Sequence, residues 1–215
     1  MGEDDRVKWT RAVHYVRELA EKCAELDGLS SSIYQLRVRQ MWAVGDILGT
    51  ARDIDKVTVA LVVDLPVEDM PWLGEPLGAE HWANATKVSR NPIRPLWRSL
   101  HAPIRNHVID RPALVWDAAN GVAEETLAAL RDGQGHRVRQ PEQDGLAARM
   151  DAELGVSLRA LRRHTELYGD RRWGAGKLTP VSDALWRISS GYLDLLDATK
   201  VRAPGSVVEE TTGGR

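Results

Sequence analysis

The chain has one cysteine, Cys23, and no phenylalanine among its 215 residues. A single thiol excludes an intrachain disulfide framework, a cysteine-based zinc finger and a Cys-x-x-Cys redox pair. No charge of one sign dominates either, since 29 Lys and Arg oppose 31 Asp and Glu for a formal net charge of −2. So even a balance argues against a protein that coats nucleic acid through a basic field, and against an acidic solvating tail. No apolar run reaches the roughly 18 residues that span a bilayer, so no membrane partner is expected. The opening residues Met1-Gly2-Glu3-Asp4-Asp5-Arg6 are acidic and polar, unlike a secretory leader, and a cytoplasmic location is expected.

What remains is a composition of 43% hydrophobic and 28% charged residues, which suits a chain with a sizeable core. Eight Trp and four Tyr supply all the aromatic volume. Without Phe, most indoles are expected to fill the core, although Trp42, Trp82, Trp97 or Trp116 could stack a base.

Periodicity divides the chain. Trp9, Ala12, Val13, Val16, Leu19, Ala20, Cys23 and Leu26 recur at helical spacing, and Asp27-Gly28 closes that helix. Asp55 to Leu65 is β-branched and nearly continuously apolar, which reads as a strand buried on both faces. Gly45 and Gly49 separate it from Val38–Val44, read as the neighbouring strand. Val108 to Trp116 is a third candidate, confined by Pro112 to an edge or a break. The Pro- and Gly-rich stretch 66–103 is expected to wrap the sheet as loop and short helix, anchored by Trp72, Trp82 and Trp97. Val122–Arg131 reads as a short helix.

Two long amphipathic patterns follow. Leu146, Met150, Leu154, Leu158, Leu161 and Tyr168 mark one helix, and Val181, Ala184, Leu185, Ile188, Tyr192 and Leu195 the other. Together they predict an antiparallel pair. The expected organisation is an α/β domain over 1–133, a linker at 134–145, the helical pair at 146–200 and a disordered tail at 201–215. The fold class is α+β, a small mixed sheet flanked by helices.

One constellation carries the strongest chemical lead. Asp53 and Asp55 are two residues apart at the mouth of a strand, so both carboxylates face one way with Cβ atoms roughly 6–7 Å apart. Paired hard oxygen ligands of this kind can grip Mg²⁺ for phosphoryl or nucleotidyl transfer. The turn upstream, around Gly45, can bring backbone N–H groups against a triphosphate.

Gly45, Asp53 and Asp55 in this order resemble the nucleotidyltransferase superfamily that includes DNA polymerase β and the aminoglycoside nucleotidyltransferases. The resemblance implies a nucleotidyltransferase-like domain with Asp53 and Asp55 as metal ligands. It also implies a third carboxylate, Asp110 or Asp117, to complete the metal site and act as base. Gly45 and Asp46 would meet the nucleotide, and Lys177 and Arg172 would neutralise its phosphates. Asp64 is excluded, because nine residues of strand place it about 30 Å away on the opposite face.

Two departures support a second reading. Asp46 stands where the superfamily carries Ser or Gly, and only the short stretch 47–52 separates it from Asp53. The alternative is thus a non-catalytic nucleotide-binding or protein-interaction module that has lost the chemistry. In either case the expected partner is a nucleotide or another small molecule, with nucleic acid disfavoured by the charge balance.

The whole chain also resembles an uncharacterised family of actinobacterial proteins. Met41–Leu48, Asp53–Pro66, Trp72-Leu73-Gly74-Glu75-Pro76, Glu80–Thr86 and Gly176–Pro180 carry that resemblance, which implies no activity.

Weaker signals fall to simpler readings. His81, His101 and His107 lack the spacing of four that pairs metal-binding histidines on a helix. Ser182 and Asp183 lack a Gly-x-Ser-x-Gly elbow, and Gly174-Ala175-Gly176-Lys177-Leu178 fails the phosphate-loop pattern at both ends. Arg159, Arg162 and Arg163 read as a solvated helical face.

Overall fold

The computed structural model describes residues 6–29, 35–138 and 145–202. Residues 139–144 of the expected linker and 203–215 of the expected tail lie outside that range. Five strands form one mixed sheet in the order β3-β2-β1-β4-β5. They are β1 (Val38–Val44), β2 (Val57–Val63), β3 (Ile93–Ser99), β4 (Ala113–Asp117) and β5 (Gly121–Val122). The helices are α1 (Trp9–Asp27), α2 (Ala79–Ala85), α3 (Glu124–Arg131), α4 (Leu146–Arg171) and α5 (Thr179–Arg202). The class is α+β.

β1 and β2 are antiparallel neighbours, with Met41 opposite Leu61 and Ala43 opposite Val59. Alternation along β2 divides the core. Val57, Val59, Leu61 and Val63 face a layer that includes α1 and α3, together with Met41 and Ala43 of β1. Ala60 and Val44 face the other way, where they meet Leu96, Ile109 and Leu195 of α5. That is why β2 is apolar almost throughout: both of its faces are covered.

α1 buries Trp9, Ala12, Tyr15, Val16, Leu19, Ala20, Cys23 and Leu26, the helical stripe its sequence predicts with Tyr15 added and Val13 only half-buried. Its start and middle are tied to α3. Trp9 Nε1 donates to the Leu130 carbonyl at 3.1 Å, and Arg17 makes a bidentate pair with Glu124 at 3.1 and 2.8 Å. On the opposite face α4 and α5 lie against each other. α5 approaches the backbone of Trp72 so closely that a Cβ on Gly191 would stand 2.0 Å from the Trp72 carbonyl oxygen. This packing accounts for a glycine inside a helix, where it otherwise costs about 0.5–1 kcal/mol against alanine.

Of the two alternatives for Val108 to Trp116, an edge strand or a break at Pro112, the break is what forms, while the reading of 66–103 needs correction. β4 starts at Ala113, just after Pro112, and lies between β1 and β5. The segment 66–103 does supply a short helix and buried indoles at Trp72, Trp82 and Trp97, but it also contains β3, paired parallel to β2. Pro95 had concealed that strand. The amides that bond toward β2 belong to the other set of residues, as Leu100 N–H donating to Val63 shows. Alternation therefore turns Pro95 toward the free edge, where the missing N–H breaks no ladder.

Candidate functional site

Asp53 and Asp55 flank Ile54, which is buried and forms an isolated bridge with Val7 through bonds of 2.7 and 3.1 Å. Both acids are exposed, and Asp55 pairs with Arg6 at 3.4 Å. The expected third acids are held elsewhere. Gln40 of β1 stands opposite both Asp117 and Val62, so Asp117 is level with the far end of β2 across β1, whereas Asp53 and Asp55 precede its start. Val57 to Val62 alone spans about 16 Å at the usual rise.

Asp117 also has its oxygens engaged. Oδ1 accepts from the backbone amides of Ala119 and Asn120 and from the Asn120 side chain, at 2.8, 3.2 and 3.1 Å, and Oδ2 accepts from Gln40 at 3.0 Å. Burial pushes this carboxyl upward, but those hydrogen bonds outweigh it and hold it below the ordinary Asp value. Its work is to tie the β4–β5 turn. Asp110 pairs with Arg105 at 2.7 Å and Arg111 at 3.5 Å. Among the described residues, no group of three or more His, Cys, Asp or Glu is placed to hold a metal ion.

The positions expected to meet a nucleotide lie on different elements. Gly45 has φ +74°, and a Cβ there would meet nothing within 4 Å, so the turn conformation is what requires glycine. Asp46, in a single 3-10 turn, pairs with Arg52 at 3.1 Å. Lys177 and Arg172 are exposed in the connection between α4 and α5, where Arg172 stacks over Trp173 at 4.6 Å. The arginines of α4 do meet acids, though not those at 46–55. Arg159 pairs with Glu68 at 2.8 Å and Arg163 with Asp69 at 3.7 Å, both in the loop after β2.

A different polar cluster lies buried between the sheet and α4. Arg98 of β3 and Glu153 of α4 form an ion pair with side chains only 7% and 12% exposed. Arg98 also donates to the Pro103 carbonyl at 3.2 Å and sits 5.6 Å above the Trp72 ring. Arg105, 6% exposed, reaches outward to Asp110. Asn106 accepts from the amides of Val108 and Ile109 at 3.0 and 2.9 Å, which fixes the loop carrying these groups. Trp72 is gripped at both ends, by Ser157 Oγ on its backbone amide at 3.2 Å and by Asp194 on its indole N–H at 2.7 Å. Asp194 also bonds His107 at 2.8 Å.

Stability alone does not explain this cluster. A buried ion pair is often no better than the apolar residues that would fill its place. Arg98 Nε and Arg105 Nη1 are buried without an acceptor, at a cost of about 1–3 kcal/mol each. Both residues line a partly open cavity of about 110 Å³, together with Arg149 and Glu153. Local sequence pattern cannot reveal such a site, because its charges come from β3, the following loop and α4. The one available signal was Arg98 itself, a charge directly after Leu96-Trp97 in a stretch otherwise packed inward.

Fold and site together define an α+β protein with a five-stranded mixed sheet and an arginine-rich cavity under helix α4. None of its described helices is long and apolar enough to cross a membrane. The chain belongs to the family described as Domain of unknown function (DUF7711), which matches residues 7–201. No curated protein and no solved structure matches it.

Proposed function

We propose that this chain is a non-catalytic binding module, in which the sheet and helix α4 hold a small ligand between them. The observation that carries this reading is the buried Arg98–Glu153–Arg105 cluster lining a cavity of ligand-admitting size. Buried charge with orphaned donors is a poor way to stabilise a fold and a common way to build a recognition site. A nucleotidyltransferase-like frame that has lost its chemistry fits the same features, with Asp46 turned to Arg52 rather than left open to phosphates.

Mg²⁺-dependent nucleotidyl transfer is the competing reading. The shared exposure of Asp53 and Asp55 around buried Ile54 favours it. Against it stands Asp117, whose oxygens are engaged at the other end of β2. Incubation with Mg²⁺ or Mn²⁺ and each labelled nucleoside triphosphate separates the two. A binding module labels neither itself nor added RNA. Labelling that disappears in the Asp53→Ala/Asp55→Ala double variant would establish the transferase and overturn the proposal.

A further inference from the structure

We infer that the cavity between β3 and α4 is a site for a small organic carboxylate, a monoanion with a short apolar portion. The inference rests on reading the chain as a binding module and assigns the class of its ligand. Charge supplies the first argument. Arg98, Arg105 and Arg149 line the cavity against a single acid, Glu153. Glu153 is taken by Arg98, and Arg105 is paired from outside with Asp110, whose side chain is 64% exposed. Arg149 has no ion-pair partner among the described residues, which leaves one positive charge in excess at the wall.

Hydrogen-bond capacity points the same way. Arg98 commits Nη1 to Glu153 and Nη2 to the Pro103 carbonyl, and Arg105 commits Nη2 to Asp110, while Arg98 Nε and Arg105 Nη1 are sealed from solvent. Arg149, which lines the same wall, therefore supplies the forked donor pair that matches the two oxygens of a carboxylate. The buried charges of Arg98 and Arg105 beside it strengthen such a bond, because little water competes.

Shape and polarity set the rest of the ligand. Val67, Met70, Pro103, Ala152 and Val156 complete much of the wall, so the site is apolar away from its arginines. A bare inorganic anion would leave that surface uncovered. For scale, an apolar cavity of about 150 Å³ admits benzene, so 110 Å³ suits a ligand of roughly four to six heavy atoms. Butyrate has that size and both kinds of surface.

The test is calorimetric titration of the intact protein with sodium butyrate, with butylammonium chloride and inorganic phosphate as matched probes at equal ionic strength. Thermal unfolding is followed in parallel. Saturable butyrate binding with a raised unfolding midpoint is expected, with no response to butylammonium and at least tenfold weaker binding of phosphate. Arg149→Gln is expected to weaken butyrate binding at least tenfold. Ala152→Leu fills the cavity from an exposed position on α4 and is expected to abolish binding while the charges remain. No saturable butyrate binding, or unchanged binding in both variants, overturns the assignment. Phosphate bound as tightly as butyrate overturns the organic part of it. Triphosphate labelling in a protein that binds butyrate would instead refute the non-catalytic reading and leave this site standing.

Discussion

Removing Glu153 should be far more damaging than its place on a helix surface suggests. Glu153→Ala leaves the Arg98 guanidinium 7% exposed, with the Pro103 carbonyl and the Trp72 ring as its remaining polar company. Breaking a buried pair on one side costs about 3–5 kcal/mol, mostly because the surviving charge stays desolvated. Against a whole-domain stability of about 5–15 kcal/mol, that is a large share. The penalty belongs to the orphaned charge and not to the lost attraction. Accordingly, the double variant Arg98→Met/Glu153→Leu should recover most of it and fall within about 1–2 kcal/mol of the parent. Urea unfolding followed by circular dichroism at neutral pH measures all three free energies if the m-value stays constant. A loss below about 1 kcal/mol in Glu153→Ala would show that Arg98 is not desolvated as described. A double variant as unstable as the single one would show that the pair stabilises the fold outright.

Two glycine substitutions should move stability in opposite directions. Gly191→Ala drives a Cβ onto the Trp72 carbonyl, a backbone atom that cannot swing aside, and should cost about 3 kcal/mol or more. Gly169→Ala on α4 meets nothing within 4 Å and should stabilise by about 0.5–1 kcal/mol. Thermal melts of both variants check the pair. Asp117→Asn should cost about 1 kcal/mol at neutral pH, since an amide presents N–H to the Gln40 donor. Because the folded state holds Asp117 below the ordinary carboxyl value, its contribution is complete above about pH 4 and fades as pH falls further. The gap between parent and variant should therefore narrow on acidification, and a gap that widens would refute this account.

Elements whose cause is local were legible in the sequence. The stripe of α1, the limits of β1 at Val38–Val44 and the doubly covered β2 follow from periodicity and β-branching, and the structure keeps them. β3 escaped because Arg94 and Arg98 occupy the face turned to the C-terminal helices, which scrambles the usual alternation, and because Pro95 reads as a breaker. The acidic pair Asp53 and Asp55 was legible for the same local reason. Its supposed third partner was not, since which strand end meets which depends on sheet order. Asp117 is level with Val62, one strand removed, because β1 lies between β2 and β4 and runs antiparallel to both. The buried cluster is less readable still. Arg98 and Glu153 are 55 residues apart, and only the docking of α4 on β3 makes them partners.

Pro95 also limits what the sheet can become. An outermost strand offers its spare amides to any passing chain, and a second copy of the same protein is the most abundant candidate. Along the free side of β3, the Ile93 amide is already bonded to the Asn91 carbonyl, and Pro95 has no amide to offer. An incoming strand would find its first two donors missing, with the Trp97 and Ser99 amides and the edge carbonyls of Ile93, Pro95 and Trp97 left to meet it. That thins the ladder at one end of the edge. The residue that hid β3 from the sequence therefore also disfavours growth of the sheet beyond it.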